Sequence, residues 1–254
     1  MVRGLAKFKE HFRSYSDRYV LIGGTACSLA MEEVGLDFRA TKDLDIVLCV
    51  EALDRSFVTA FWEFVHAGRY NNQQKSTGKR LFYRFFDPED ISYPAMLELF
   101  SRKPDALMLH DNSHLTPIPV DEDAASLSAI LMENDYYEFI HAGKREIDGL
   151  PVAIAEYLIP LKARAWLDMR ARRSAGVQVD EKDIRKHRND IFRLYQIVTP
   201  TISISLNGSI RDDFQRFLHA IVEEDSIDLK TLGLRNTTLK EIIEVMRRIY
   251  GIND

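Results

Sequence analysis

Asp43 and Asp45 stand two residues apart at the head of Asp43-Leu-Asp-Ile-Val-Leu-Cys-Val50, a run that is otherwise apolar. Side chains alternate along a strand, so both carboxylates point to one face while Leu44 and Ile46 point to the other. Two acids at the start of a buried strand are costly to hold close without a cation. Such a pair suits a hard divalent ion, Mg²⁺ (or Mn²⁺), which takes oxygen ligands and keeps positions open for phosphate oxygens. The plainer alternative is an N-cap plus a surface acid at a strand end.

Upstream, the short apolar run Tyr19-Val-Leu-Ile22 closes on Gly23-Gly24-Thr25. Glycine permits a tight backbone close to a ligand, and the unpaired N–H groups of a helix N-terminus attract an anion, so this turn can cradle phosphate. Thr25 can cap the helix that follows. With one helix between them, the turn and the two-acid strand belong on neighbouring strands. Glu98, inside Ala95-Met-Leu-Glu-Leu-Phe100, is the candidate third carboxylate, because it interrupts an apolar strand whose Leu97 and Leu99 face the other way. It could take a proton from an attacking hydroxyl or share a metal; otherwise it is an edge-strand acid facing water. Asp87 and Asp90 lie in turn-like contexts where aspartate is ordinary.

In the C-terminal half, Lys162 lies on an apolar stripe with Leu158, Leu161, Ala165 and Met169, where a lysine either snorkels or serves an anion. Asp190 flanks the stripe of the next helix one turn after Lys186, where it either belongs to a charged site or makes a simple i,i+4 ion pair. Between Lys162 and Arg193 there are ten Lys or Arg and five acids, although the whole chain carries a net charge of −5. The positive charge is therefore concentrated, and it suggests a phosphate-facing wall opposite the acidic strand. The bland alternative is two solvated helix faces joined by a basic loop. A broad basic face that coats nucleic acid non-specifically is disfavoured.

Positioning elements can be read around these residues. Leu5, Phe8 and Phe12 predict a first helix ending near residues 14–16. A strand at 19–22, a helix from Thr25 to about Val34, a strand at 44–50 and a helix opened by Asp54, with Phe57, Phe61, Phe64 and Val65 on one face, follow. Residues 70–78 read as a surface loop, and 79–86 and 95–101 as strands. Short strands and turns fill 115–152, with 141–144 and 147–150 as connections. Helices are expected at about 154–173, 180–198, 209–224 and 237–250. The fold class is thus α+β, a mixed β-sheet with flanking helices (residues 1–150) followed by a C-terminal helical domain (151–254).

The 254 residues are 46% hydrophobic and 29% charged, ordinary for a globular protein. No run of 18 apolar residues and no signal peptide are visible, so no membrane association and a cytoplasmic location are expected. Cys27 and Cys49 lie in apolar stretches and are expected to be reduced, buried thiols.

Gly23-Gly-Thr-Ala followed by Arg39-Ala-Thr-Lys-Asp-Leu-Asp-Ile46 resembles the signature of the DNA polymerase β nucleotidyltransferase superfamily. The Arg-x-Thr-x-Asp-Leu-Asp wording, with Glu156-Tyr-Leu-Ile-Pro-Leu-Lys-Ala-Arg164 and Lys186-His-Arg-Asn-Asp190, is similar to the AbiEii-type branch, which includes toxins of toxin–antitoxin systems. The resemblance covers residues 18–50 and, more loosely, 155–195. It implies a nucleotidyltransferase fold and transfer of a nucleotidyl group from a nucleoside triphosphate such as ATP to a hydroxyl of RNA, protein or a small molecule. By resemblance, Gly23, Gly24, Thr25 and Arg39 contact the triphosphate, Asp43 and Asp45 hold Mg²⁺, and Lys162 and Asp190 match the branch's later motifs. Glu98 would be the third metal-binding and catalytic carboxylate, and Lys162 would neutralise developing charge. The family often has serine where Thr25 follows Gly24, and Thr25 keeps the hydroxyl. Alternatives are a non-catalytic nucleotide- or RNA-binding module, and a toxin held by an antitoxin protein.

Overall fold

A computed structural model describes residues 2–73, 81–103, 115–118, 128–224 and 227–252. The chain divides into two compact units, Met1–Ala153 and Ile154–Asp254. The first contains α1 (Leu5–His11), a 3-10 turn, β1 (Tyr19–Ile22), α2 (Gly23–Glu33), β2 (Asp43–Leu48), α3 (Arg55–Ala67), β3 (Arg84–Phe86) and β4 (Met96–Ser101). It continues with β5 (Leu115–Pro117), β6 (Ser128–Leu131), α4 (Asn134–Ala142), β7 (Lys144–Ile147) and β8 (Leu150–Ala153). The second is helical: α5 (Ala155–Ser174), α6 (Glu181–Tyr195), α7 (Gly208–Val222) and α8 (Leu239–Ile249). A mixed sheet with flanking helices followed by a helical region is the architecture the residue pattern predicts. No helix among the described residues is long and apolar enough to cross a membrane.

The strands run in the order β5-β6-β4-β2-β1-β8-β7, with β3 paired to β4 off this path. β2 is central, antiparallel to β1 and parallel to β4. Its alternation sends Leu44 and Ile46, both at most 1% exposed, to the face where Tyr19 and Phe85 also point. On that face the rings of Phe8 and Phe12 meet Tyr19, and Phe61 on α3 meets Phe85. Phe57, Phe61, Phe64 and Val65 are buried as their spacing predicts, and Asp54 caps α3 by accepting the Phe57 N–H at 2.9 Å. The aromatic core thus takes one face of the sheet, while Asp43 and Asp45 lie on the other, beside buried Val20 and Val47.

One expectation changes, and one connection takes the form its residues suggest. Residues 134–142 form α4 rather than part of a strand-and-turn stretch, because Tyr136, Tyr137 and Ile140 are buried together on one helical side. The aromatic content that reads as strand is satisfied by packing instead. Residues 147–150 are the tight β7–β8 turn, where Asp148 (φ 49°) and Gly149 (φ 68°) both take the left-handed conformation of a primed hairpin turn. Residues 74–78 of the expected loop, and 79–80 of the strand expected at 79–86, lie outside the described residues.

Phe12 is 1% exposed and its ring touches those of Phe8, Phe57, Phe61 and Phe64. Phe12→Ala is expected to lower unfolding free energy by about 3–5 kcal/mol, read from the denaturant midpoint.

Candidate active site

The sheet brings Gly23 and Asp45 together through register. Ile22, the last residue of β1, pairs with Asp45 on β2, so the chain turns into α2 directly beside the Asp45 carboxylate. Gly23 has φ 68°, and a Cβ there would overlap that carboxylate. Glycine is therefore required twice, by backbone conformation and by space. A Cβ on Gly24 would lie 2.5 Å from Thr41 Oγ1 and 3.5 Å from Arg39 Nη2. Arg39 thus stands at the N-terminal turn of α2, where its guanidinium adds to the partial positive charge of the helix end. The glycine turn, Arg39, Thr41 and Asp45 make one continuous surface.

Thr25 does a different job from the expected cap. No side chain caps α2; the Thr25 hydroxyl is fully buried and donates to the Asp43 carbonyl at 2.8 Å. That bond ties α2 to the start of β2 and commits the hydroxyl hydrogen, so Thr25 does not donate it to an anion.

Asp43 and Asp45 are partly exposed while Leu44 between them is buried, as alternation predicts. Asp45 pairs in register with Glu98 on β4, and Glu98 with Arg84 on β3. Ile22, Asp45, Glu98 and Arg84 therefore form one row across four strands, on one face. Glu98 is 9% exposed, and its Oε1 accepts hydrogen bonds from Arg84 Nε, at 2.6 Å, and from Arg84 Nη2. The third acid is thus beside the pair but gripped by an arginine. Arg84 was missed, although it carries the same signal as Glu98, a charge interrupting an apolar strand.

Among the described residues, no three His, Cys, Asp or Glu side chains gather into a metal cage. Asp43 and Asp45 on one face nevertheless fit Mg²⁺, which is bound through one or two carboxylates and completes its shell with water and phosphate oxygens. The thiols do not compete for chemistry. Both are buried and unbridged, and burial pushes Cys49 up to about 12, far from a thiolate at neutral pH.

Lys162 and Asp190 lie in the helical unit. Asp190 is not the i,i+4 partner of Lys186; it is fully buried and accepts from Lys162 Nζ at 3.2 Å and Arg193 Nη1 at 3.5 Å. Lys162 is 4% exposed and joins α5 to α6 through this pair. Arg164, in the same motif, likewise bonds buried Asp213 on α7. Both basic motif residues thus hold the helices together.

No family model matches the chain, and no curated protein matches it. Among solved structures, one similar chain is the Megavirus polyadenylate synthase, 13% identical, with a TM-score of 0.38 over 87% of this chain and 36% of that one. The chain therefore spans about a third of that protein's length, and the functional reading rests on the site's own geometry.

Gly23→Ala is expected to cost about 1–2 kcal/mol from backbone conformation alone, and more as Asp45 is displaced; urea unfolding measures it. Lys162→Met should cost about 3–5 kcal/mol by removing a buried cation that faces the fully buried Asp190 carboxylate. Lys162→Met with Asp190→Leu should recover most of that loss, and calorimetry of the two variants checks the order.

Proposed function

We propose that this protein is a Mg²⁺-dependent nucleotidyltransferase of the AbiEii-type branch, transferring a nucleotidyl group from a nucleoside triphosphate to a hydroxyl acceptor with release of pyrophosphate. The observation that carries the reading is the packing of the Asp45 carboxylate against Gly23, which makes the phosphate-attracting turn and the acidic face one surface. Backbone N–H groups at the start of α2 and the Arg39 guanidinium attract the phosphates. Mg²⁺ (or Mn²⁺) held by Asp43 and Asp45 would neutralise phosphate charge and order the triphosphate.

Glu98 lies beside Asp45 in the same row, positioned to accept the proton of the attacking hydroxyl, and Arg84 fixes where that carboxylate points. The acceptor oxygen bonds to the α-phosphorus as the bond from that phosphorus to its bridging oxygen breaks. Pyrophosphate leaves with the bond's electron pair, and the hydroxyl proton passes to Glu98. Positioning and charge neutralisation supply most of the acceleration in such a transfer. No step is assigned to Lys162 or Asp190, whose charges are matched within the helical unit.

The grip of Arg84 on Glu98 also favours a second reading, a module that binds nucleotide without transferring it. One experiment separates the two: incubation with labelled nucleoside triphosphates, Mg²⁺ and total cellular RNA and protein, followed by detection of label and pyrophosphate. Asp43→Asn and Asp45→Asn should each lower labelling more than about 100-fold, since even outer-shell partners of a metal cost 10–100-fold, without loss of folded structure by circular dichroism. Full activity in both variants overturns the transfer reading, and Mg²⁺-dependent nucleotide binding with no labelling supports the module.

A further inference from the structure

The helical unit holds a cavity of about 360 Å³ that the transfer reading does not use. α5 contributes Trp166, Arg170 and Arg173 to its wall, α6 contributes Arg185 and Arg188, and Glu224 follows the end of α7. Four arginines against the carboxylates of Glu181 and Glu224 leave the lining with an excess of positive charge. The size is at the lower end for small-molecule sites, about 300–1,000 Å³.

The arginines are arranged rather than merely abundant. Arg188 is 4% exposed and Arg170 is stacked over Trp166 at 4.4 Å. Both donate to Glu224, at 3.0 and 2.8 Å, so one carboxylate orients two guanidinium groups from different helices. Arg173 is paired with Glu181. Arg185 is exposed at the cavity and has no carboxylate partner among the described residues. Guanidinium forks match phosphate oxygens bidentately, and an arginine fixed beforehand by a carboxylate and an aromatic ring loses less entropy on binding.

We infer that this cavity between α5 and α6 binds a phosphate group, with Arg185 as the principal contact and Arg170 and Arg188 as the oriented wall behind it. The source is either a small phosphorylated compound or the backbone of a nucleic-acid strand, and the shared chemistry is the phosphate. The assignment does not depend on the transfer reaction.

The full chain, in buffer with EDTA and no nucleoside triphosphate, is titrated with inorganic pyrophosphate by calorimetry and with a short fluorescent single-stranded RNA by anisotropy. Arg185→Glu is expected to weaken whichever ligand binds by at least about tenfold. For the RNA, it should also flatten the log–log salt dependence by about 0.7. Arg172→Glu is the control, because Arg172 is exposed on α5 and does not line the cavity; it should change affinity less than about twofold. Binding of pyrophosphate without RNA supports the site with a small phosphorylated ligand, and binding of RNA supports it with a strand's backbone. Failure of both ligands to bind, or equal weakening by Arg185→Glu and Arg172→Glu, overturns the assignment. Asp45→Asn should keep this binding while losing labelling, so failure of one reading is distinguishable from failure of the other.

Discussion

The antiparallel register between β1 and β2 is the constraint on which the site depends. Because Ile22 is opposite Asp45, the first residue after β1 must turn beside a carboxylate, and only a residue without a Cβ fits there. A slip of one residue would turn Asp43 and Asp45 into the aromatic core and Leu44 and Ile46 to the site face. The cost of burying two carboxylates without partners opposes that slip, so the same acids that could hold a metal also select the register. β1 is further held by β8 and β2 by β4, so the register is central to the sheet and is not an edge feature.

The parts of the molecule that could be read from the chain are those governed by local rules. Alternation placed Asp43 and Asp45 opposite Leu44, the Asp54 cap and the 57/61/64/65 face located α3, and the four helices of the C-terminal half follow the apolar spacing closely. What could not be read required knowing which strands meet. Glu98 was visible as an interrupted apolar run, but its partner Arg84 belongs to another strand, and their meeting is set by the β3–β4 register. α4 was missed because no side chain caps its start and because its aromatic residues have strand propensity that packing overrides.

The charge-rich helical half shows the same limit more sharply. Along the chain, residues 162–193 carry an excess of five positive charges. In the folded unit much of it is matched by acids from outside that stretch, Asp213 against Arg164 and Glu224 against Arg170 and Arg188. Linear charge counting overstates the free positive potential, because sequence neighbours are not the partners. The basic residues of that stretch without a carboxylate partner among the described residues include Lys182, Arg185 and Lys186, all on α6.

The Lys162–Asp190 pair follows a different logic from the Asp43–Asp45 pair. Taking both ions out of water costs several kcal/mol each, and their mutual attraction at 3.2 Å offsets that cost without a large surplus. Its effect is on alternatives. Rotating α6 about its axis would separate Asp190 from Lys162, so the pair favours one packing of α5 against α6 even if it adds little to stability. Asp43 and Asp45 differ from that pair in being like charges on one face of a strand and partly exposed, so water screens their repulsion. A ligand that binds the folded state stabilises it by mass action, so one expects the first unit to gain stability with Mg²⁺ and nucleotide while the α5–α6 packing is complete without either.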